Sequence, residues 1–143
     1  MTYGYGRMAA VTLGLVAAAL VGTAALPSVQ AQTEQVVDVT IRDNAFRVTK
    51  QVPLLPNVPI RIHIVNEDSI RHDFGSTIFH GTPTQVEHAG VSTYGQDIGG
   101  VYLDGGKTAK IQFTLHKPGN FEFKCSIHPN MKGEILLMSV STV

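Results

Sequence analysis

The stretch that most constrains the fold of this chain lies near its C-terminus, at residues 121–133, with the sequence FEFKCSIHPNMKG. It contains the only cysteine of the protein, Cys125, and His128 and Met131 follow at intervals of three residues. The phenylalanines before Cys125 alternate with charged residues, which predicts a strand that points the thiol inward and a loop that leaves it. Three donors on one short loop cannot enclose a metal alone, so the fold has to bring another donor from a distant segment.

The donor types indicate which metal such a site would take. A thiolate, an imidazole and a thioether suit copper, whereas magnesium, calcium and manganese prefer oxygen ligands. A trigonal copper centre with two histidines, one cysteine and a weak axial methionine needs a second imidazole. His72 is the candidate, because it follows a strand-like run at 59–65. The predicted metal ligands are therefore His72, Cys125, His128 and Met131, while the alternative for an isolated cysteine is an inert buried thiol.

Two motifs resemble those of the cupredoxin family of blue copper proteins. The first is N-x-D followed by H-x-F within residues 66–74, and the second is C-x-x-H-P-x-M-x-G at 125–133. The compact second motif is most similar to the ligand loop of the amicyanin-type members, whereas plastocyanin-type members carry a longer interval between the histidine and the methionine. The resemblance covers most of the chain after residue 31 and implies a two-sheet sandwich.

The resemblance and the donor set together imply a function. We expect one copper per chain, cycling between Cu(I) and Cu(II), with Cys125 as the dominant thiolate, His72 and His128 as equatorial imidazoles and Met131 as the weak axial donor. Such a site suits a carrier that shuttles single electrons between redox partners such as cytochromes or a dehydrogenase or oxidase, rather than an enzyme. The family also implies that His128 lies near the surface in an apolar patch, to which Pro129 and Met131 contribute.

The N-terminal residues have the layout of a secretory signal peptide. Arg7 precedes an apolar run at 8–26, and Val29-Gln30-Ala31 forms a small-residue cleavage site, so we expect a signal peptide at 1–31 and the copper domain at 32–143. The alternative is an uncleaved anchor, since the apolar run has 19 residues, a length that can span a membrane. Either arrangement predicts a periplasmic or otherwise extracytoplasmic domain.

Charge and cysteine content exclude some other classes of protein. Residues 32–143 contain ten Lys and Arg and eleven Asp and Glu, so the domain has no basic field for nucleic acid. A single cysteine can form no internal disulfide, although exported proteins usually permit disulfides. We expect a monomer with a free or metal-bound thiol.

The hydrophobic pattern predicts an all-β protein, a two-sheet Greek-key sandwich of about seven short strands with no helix. Strict alternation marks strands at 59–65 and 107–115, and a turn at 116–120 predicts that the second of these pairs with 121–125 as a hairpin. Seven glycines fall within residues 81–106, so we expect much of this segment to be loop.

The remaining histidines and polar residues leave alternatives open. His63 is expected to point away from the core, and His80, His88 and His116 to lie in solvated loops. A second copper site from His80 and His88, in the apparent insertion at 75–106, would instead make the protein an enzyme. A third hypothesis is copper storage or delivery with the same four ligands.

Asn66 and Asp68 are open to two interpretations. Either residue could brace the ligand loops by hydrogen bonding across to the Cys125 loop. Simple turn chemistry at a strand end explains the same two residues.

Overall fold

A computed structural model describes residue 1 and residues 33–49 and 53–138 of the 143-residue chain. The chain divides after Gln30. Apart from Met1, the predicted signal peptide at 1–31 lies outside the described residues. No helix among the described residues is long and apolar enough to cross a membrane.

The described part of the second unit is built from strands, with one short 3-10 helix at Thr77–Phe79. Ten strands follow one another along the chain: β1 Gln35–Arg42, β2 Ala45–Val48, β3 Pro59–Asn66, β4 His72–Ser76, β5 Thr84–His88, β6 Val91–Gly95, β7 Gly100–Leu103, β8 Thr108–Thr114, β9 Gly119–Lys124 and β10 Lys132–Leu137.

The strands form two sheets, which confirms the predicted all-β sandwich. The larger sheet has the order β2-β1-β3-β8-β5-β6 and the smaller has the order β10-β9-β4-β7. β1 and β3 run parallel, and every other pair of neighbouring strands is antiparallel. The strand count of about seven was too low, because the sheets contain ten.

The inward faces of the two sheets share one apolar core. In β3, Ile60, Ile62 and Ile64 are fully buried and alternate with half-buried polar or smaller neighbours, as the sequence pattern predicts. They lie opposite inward-facing residues of β8, with Ile62 aligned to Ile111. Burial of this kind stabilises the fold by about 25 cal/mol for each Å² of apolar surface removed from water.

Residues 81–106 contain more strand than their glycine content predicts. β5, β6 and β7 lie in this segment, and β5 extends the larger sheet beside β8. The strands are short and the glycines occupy the connections between them or the strand ends. Gly90, with φ of 78°, completes a two-residue turn with Ala89 between β5 and β6. Glycines that serve tight turns therefore gave the segment the composition of a loop.

The predicted hairpin between residues 107–115 and 121–125 was also wrong. β8 pairs with β3 and β5 in the larger sheet, whereas β9 pairs with β10 and β4 in the smaller sheet. The turn at 116–118 thus crosses from one sheet to the other. Local turn chemistry cannot distinguish a hairpin from such a crossing, because burial of both inner faces decides between them.

Three phenylalanines form a cluster between the sheets, next to the strand ends that carry His72 and Cys125. Phe74 and Phe123 stack with ring centroids 4.9 Å apart, and Phe46 of β2 meets both rings edge to face at 5.7 and 5.2 Å. Phe74 lies two residues after His72, and Phe123 lies two residues before Cys125, so these side chains share a face of their strands. The cluster gives the two site strands a rigid apolar base.

Gly133 provides the space for the Phe123 ring. A Cβ added at this position would lie 2.3 Å from the ring of Phe123, which is 1% exposed and cannot swing into solvent. We expect Gly133→Ala to lower the free energy of unfolding by about 1–3 kcal/mol, the usual cost of overpacking. Denaturant unfolding measures this loss. Gly99→Ala is the matched control, because its Cβ would meet no atom within 4 Å, and equal losses in both variants would contradict the argument.

Candidate metal centre

His72, Cys125 and His128 converge at one end of the sandwich. The Sγ atom of Cys125 lies 3.9 Å from Nδ1 of His72 and 3.6 Å from Nδ1 of His128, and the two imidazole rings are 4.7 Å apart. One potential donor atom from each residue falls within 4.8 Å of the other two. His72 and Cys125 are buried and His128 is half-buried. Two imidazoles and one thiol at these separations could hold a single metal ion.

The backbone positions these three side chains through two strands and one tight loop. His72 begins β4 and Cys125 follows β9, and the two strands are neighbours in the smaller sheet. The N–H of Asp73 donates to Sγ of Cys125 over 3.4 Å. The loop then closes on itself, since Met131 donates its N–H to the carbonyl of His128 and its own carbonyl accepts from the N–H of Cys125.

Asp68 orients the imidazole of His72. Its Oδ2 atom lies 2.9 Å from Nε2 of His72, on the side of the ring away from Cys125. A carboxylate only accepts hydrogen bonds, so Nε2 carries the proton and Nδ1 presents its lone pair toward Cys125 and His128. A carboxylate that accepts from the outer nitrogen of a histidine in this way fixes the tautomer and raises the basicity of the metal-facing nitrogen.

The carboxylate of Asp68 is itself fixed by the turn between β1 and β2. The N–H of Asp43 donates to Oδ1 at 2.8 Å and the N–H of Asn44 donates to Oδ2 at 3.0 Å. The Asn44 hydrogen bond is the largest influence in lowering the pKa of Asp68, against an opposing effect of burial, with smaller contributions from Asp43 and His72. Stability from these bonds is present above the ordinary pKa of 3.8 and is lost as pH falls through the lowered value.

Asp73 is a site residue that the sequence interpretation missed. Its Oδ1 atom accepts from the N–H of Ser126 at 2.7 Å and from the Ser126 hydroxyl at 3.0 Å, and it lies 3.2 Å from Sγ of Cys125. Asp73 is buried, so a carboxylate stands beside the thiol in the interior. The only sequence feature that could have indicated Asp73 is its position directly after His72. A residue next to a metal ligand on a strand can reach the neighbouring loop.

Asp73, rather than Asn66 or Asp68, braces β4 against the Cys125 loop. Asn66 is fully buried and its amide donates to the carbonyls of Ile70, Leu103 and Asp104, while its Oδ1 accepts from the N–H of Asp68. Asn66 therefore supports the loop that carries Asp68. This contact is the turn chemistry that was the alternative interpretation for these residues.

Met131 lies on the same loop and is 2% exposed. Its backbone closes the loop, and its role as an axial ligand stays a prediction. The expectation that its side chain contributes to a surface apolar patch was wrong, because Met131 is buried. The surface beside half-buried His128 is formed instead by Ile127, which is 45% exposed, and by exposed Pro129.

His63, His88 and His116 make local contacts, and His88 ends β5 and is half-buried, so the expectation that it lies in a solvated loop was wrong. His63 faces Asp38 at 3.4 Å on the outer side of the larger sheet, as its position in the alternation predicts. His88 contacts the carbonyl of Thr108 and His116 contacts Asn57, each through Nδ1. Within residues 33–49 and 53–138, His72, Cys125 and His128 form the only group of three or more His, Cys, Asp or Glu donors, and neither His80 nor His88 belongs to it.

The carboxylate of Asp73 should stabilise the more positive oxidation state of a metal held by Cys125. We expect Asp73→Asn to raise the reduction potential of the copper-loaded protein, because a negative charge 3.2 Å from the sulfur is removed. A change of about 1 kcal/mol between oxidation states shifts a one-electron potential by about 40 mV. Voltammetry measures the shift. Asp97→Asn is the control, since Asp97 accepts the N–H of Gly81 and makes no contact with the three donors, and an unchanged or lowered potential in Asp73→Asn would refute the effect.

Comparison with solved structures assigns the fold. A multicopper oxidase superposes with a TM-score of 0.53 at 16% identity, covering 76% of this chain and 45% of the oxidase. A copper nitrite reductase from Nitrosomonas europaea also gives 0.53, at 15% identity, covering 79% of this chain and 50% of the reductase. A reduced mutant of amicyanin gives a TM-score of 0.45 at 13% identity, covering 72% of this chain and 82% of amicyanin.

The fold assignment rests on the first two structures, of which this chain spans about half or less. No family model and no curated protein sequence matches the chain. The fold is cupredoxin-like, as the sequence motifs predict. The fold and the cluster of His72, Cys125 and His128 together support a copper protein.

Proposed function

We propose that this protein is a mononuclear type 1 copper protein that shuttles single electrons between redox partners. The observation that carries the proposal is the convergence of His72, Cys125 and His128 within 4.8 Å inside a cupredoxin-like sandwich. Met131 would complete the site as a weak axial donor. Copper bound there would supply a one-electron Cu(I)/Cu(II) couple, and one ion per chain is expected.

The burial of the donors favours a carrier over an enzyme. Cys125 and His72 are 1% and 0% exposed, so a substrate would have no direct access to a metal on their side. His128 is half-buried and is the donor nearest to solvent, beside the exposed side chains of Ile127 and Pro129. An electron can pass through such a histidine without opening the site, whereas bond chemistry on a substrate would need an open coordination position.

The partners and location follow from the same proposal. Cytochromes, or a dehydrogenase or oxidase, would exchange electrons with this protein at the surface around His128. The predicted signal peptide at 1–31 would deliver the domain to the periplasm or another extracytoplasmic space.

Visible absorption of the purified protein tests the proposal. We expect an intense thiolate-to-copper band on addition of Cu(II), bleaching with ascorbate and recovery in air. Absence of the band would contradict the type 1 site. A band combined with faster copper transfer to an apo acceptor than electron exchange would contradict the carrier function and favour copper delivery.

Met131→Leu tests the axial position. The substitution keeps the volume and apolar character of a side chain that is 2% exposed, so the fold should be retained. We expect copper to remain bound and the reduction potential to rise, because loss of an axial donor disfavours Cu(II). Voltammetry provides the readout, and an unchanged potential would exclude Met131 as a ligand. Met138→Leu is the control, since Met138 is exposed beyond β10.

A further inference from the structure

The strand β6 forms one edge of the larger sheet and is open to solvent. It pairs with β5 on one side, and no strand among the described residues lies on its other side. Four of its five residues are exposed, including Val91 at 64% and Tyr94 at 72%. Charged residues and proline usually protect an edge strand from pairing with another chain. β6 contains neither of them.

The other edge strands are protected. β2 has four residues and carries Arg47, which pairs with Asp43. β10 carries Lys132 and Glu134, and Leu54 lies along it through a parallel bridge to Leu137. β7 has four residues, of which three are buried or half-buried. Within the described part of the chain, β6 is thus the edge best able to accept another strand.

The turn before β6 determines which backbone groups point outward. Ala89 and Gly90 have φ of 50° and 78°, so the turn is of the two-residue type that makes its flanking residues, His88 and Val91, a hydrogen-bonded pair. Bonding alternates along an antiparallel ladder. The N–H and C=O groups of Ser92 and Tyr94 therefore point away from β5 and are available to a neighbouring strand.

We propose that β6 pairs antiparallel with β6 of a second copy of this chain, about a two-fold axis at Thr93. This register places Ser92 opposite Tyr94 of the copy, and the four outward groups on each strand find partners. It also places Val91 opposite Gly95 of the copy, so each large side chain faces a small one, and Thr93 meets Thr93 in a favourable cross-strand pair. The two six-stranded sheets would then join into one continuous sheet.

Pairing of β6 with itself leaves no charged side chain unpaired, which supports a second copy as the occupant. None of the facing residue pairs between the two β6 strands contains a charged side chain. A charged partner strand, in contrast, would meet no opposite charge on β6. Glu87 of β5 is the acidic residue paired directly with β6, opposite Ser92, and Lys110 lies 3.9 Å from it. In the dimer, three strand spacings would separate the two Glu87 carboxylates, which places them about 14 Å apart or more. This distance exceeds the electrostatic screening length of roughly 8 Å at physiological salt, so their repulsion would be small.

The inner side of β6 adds apolar surface to the same edge. A cavity of about 460 Å³ opens between β6 and β7, and its lining includes Val91, Thr93, Ile98, Val101 and Tyr102, with no acidic or basic side chain besides His88. Tyr102 is 58% exposed at its rim. A strand added to β6 would cover part of this surface. Because the contact involves only one short strand from each copy, we expect the dimer to be weak. The protein should therefore be monomeric at low concentration, as the sequence analysis predicts.

Sedimentation of the purified full-length protein over a concentration series tests the proposal. We expect a monomer–dimer equilibrium in the wild type. Thr93→Lys should remain monomeric at every concentration, because two lysines would face each other at the axis. Thr93→Val, which adds no charge, should dimerise like the wild type. A wild type that stays monomeric throughout, or a Thr93→Lys variant that dimerises equally, would overturn the proposal.

Hydrogen exchange provides a second, residue-level test that does not depend on a variant. We expect the amides of Ser92 and Tyr94 to become more protected as concentration rises, while those of Val91 and Thr93 are protected at all concentrations by β5. A uniform change along β6, or no change at Ser92 and Tyr94 in a sample that is dimeric by sedimentation, would refute pairing through this edge.

Discussion

Cys125→Ser is expected to abolish the intense visible absorption of the copper-loaded protein while leaving the sandwich folded. The band would arise from the thiolate, and a serine hydroxyl at neutral pH provides no comparable donor. The fold should persist because its core is formed by apolar residues of both sheets, including Ile60, Ile62, Phe74 and Phe123, rather than by the metal. Absorption spectroscopy and circular dichroism measure the two parts of this prediction.

The local contacts of Cys125 explain why serine should be tolerated. The thiol faces Oδ1 of Asp73 at 3.2 Å, and a serine hydroxyl could donate to the same oxygen. The buried polar group would then be satisfied, which limits the cost to roughly 1 kcal/mol. Cys125→Ala removes the donor and serves as the comparison. A variant that keeps the band, or one that is unfolded without copper when the wild type is folded, would contradict this account.

Asp68→Asn is expected to weaken copper binding by about 10- to 100-fold, the usual effect of losing the hydrogen-bond partner of a metal-binding histidine. Three N–H groups converge on the carboxylate, those of Asp43, Asn44 and the His72 ring. An asparagine side chain has one acceptor oxygen and one donor NH₂, so in either orientation the NH₂ group meets at least one N–H.

The orientation with NH₂ toward His72 would also reverse the tautomer. Nε2 would have to accept, and the proton would move to Nδ1, the atom that faces Cys125 at 3.9 Å. Competition with a chelator of known affinity measures the loss. Asp43→Asn is a matched control, because it removes a charge from the same turn and retains the backbone N–H that Asp68 accepts. Equal affinities of the Asp68→Asn variant and the wild type would refute the positioning role.

Part of the fold was predictable because it depends on local periodicity. Burial of Ile60, Ile62 and Ile64 on one face of β3 requires only that alternate side chains of a strand point to opposite sides. The same rule placed Cys125 inward at the end of β9. The prediction of a β8–β9 hairpin was wrong because strand pairing depends on how the inner faces of the two sheets pack against each other. The sequence of a turn does not contain that information.

The support around the donors could not be predicted for a related reason. Asp68 reaches back to the turn at Asp43 and Asn44, 24 to 25 residues earlier in the chain, and Asp73 reaches forward to Ser126, 53 residues later. Such contacts depend on which loops the two sheets bring to the same end of the sandwich. A carboxylate near a histidine in sequence has many possible partners, and only the packed strands select one.

The sequence by itself determined the chemistry available to this protein: one thiol, spaced from His128 and Met131 so that a single loop carries all three, in a chain whose strands alternate. The tertiary structure alone decided the geometry. Bringing His72 to Cys125 requires β4 and β9 to be neighbours, and directing Nδ1 toward the thiol requires Asp68 on the other side of the ring. Donor identity is a property of residues, whereas donor arrangement results from burying two sheet faces against each other.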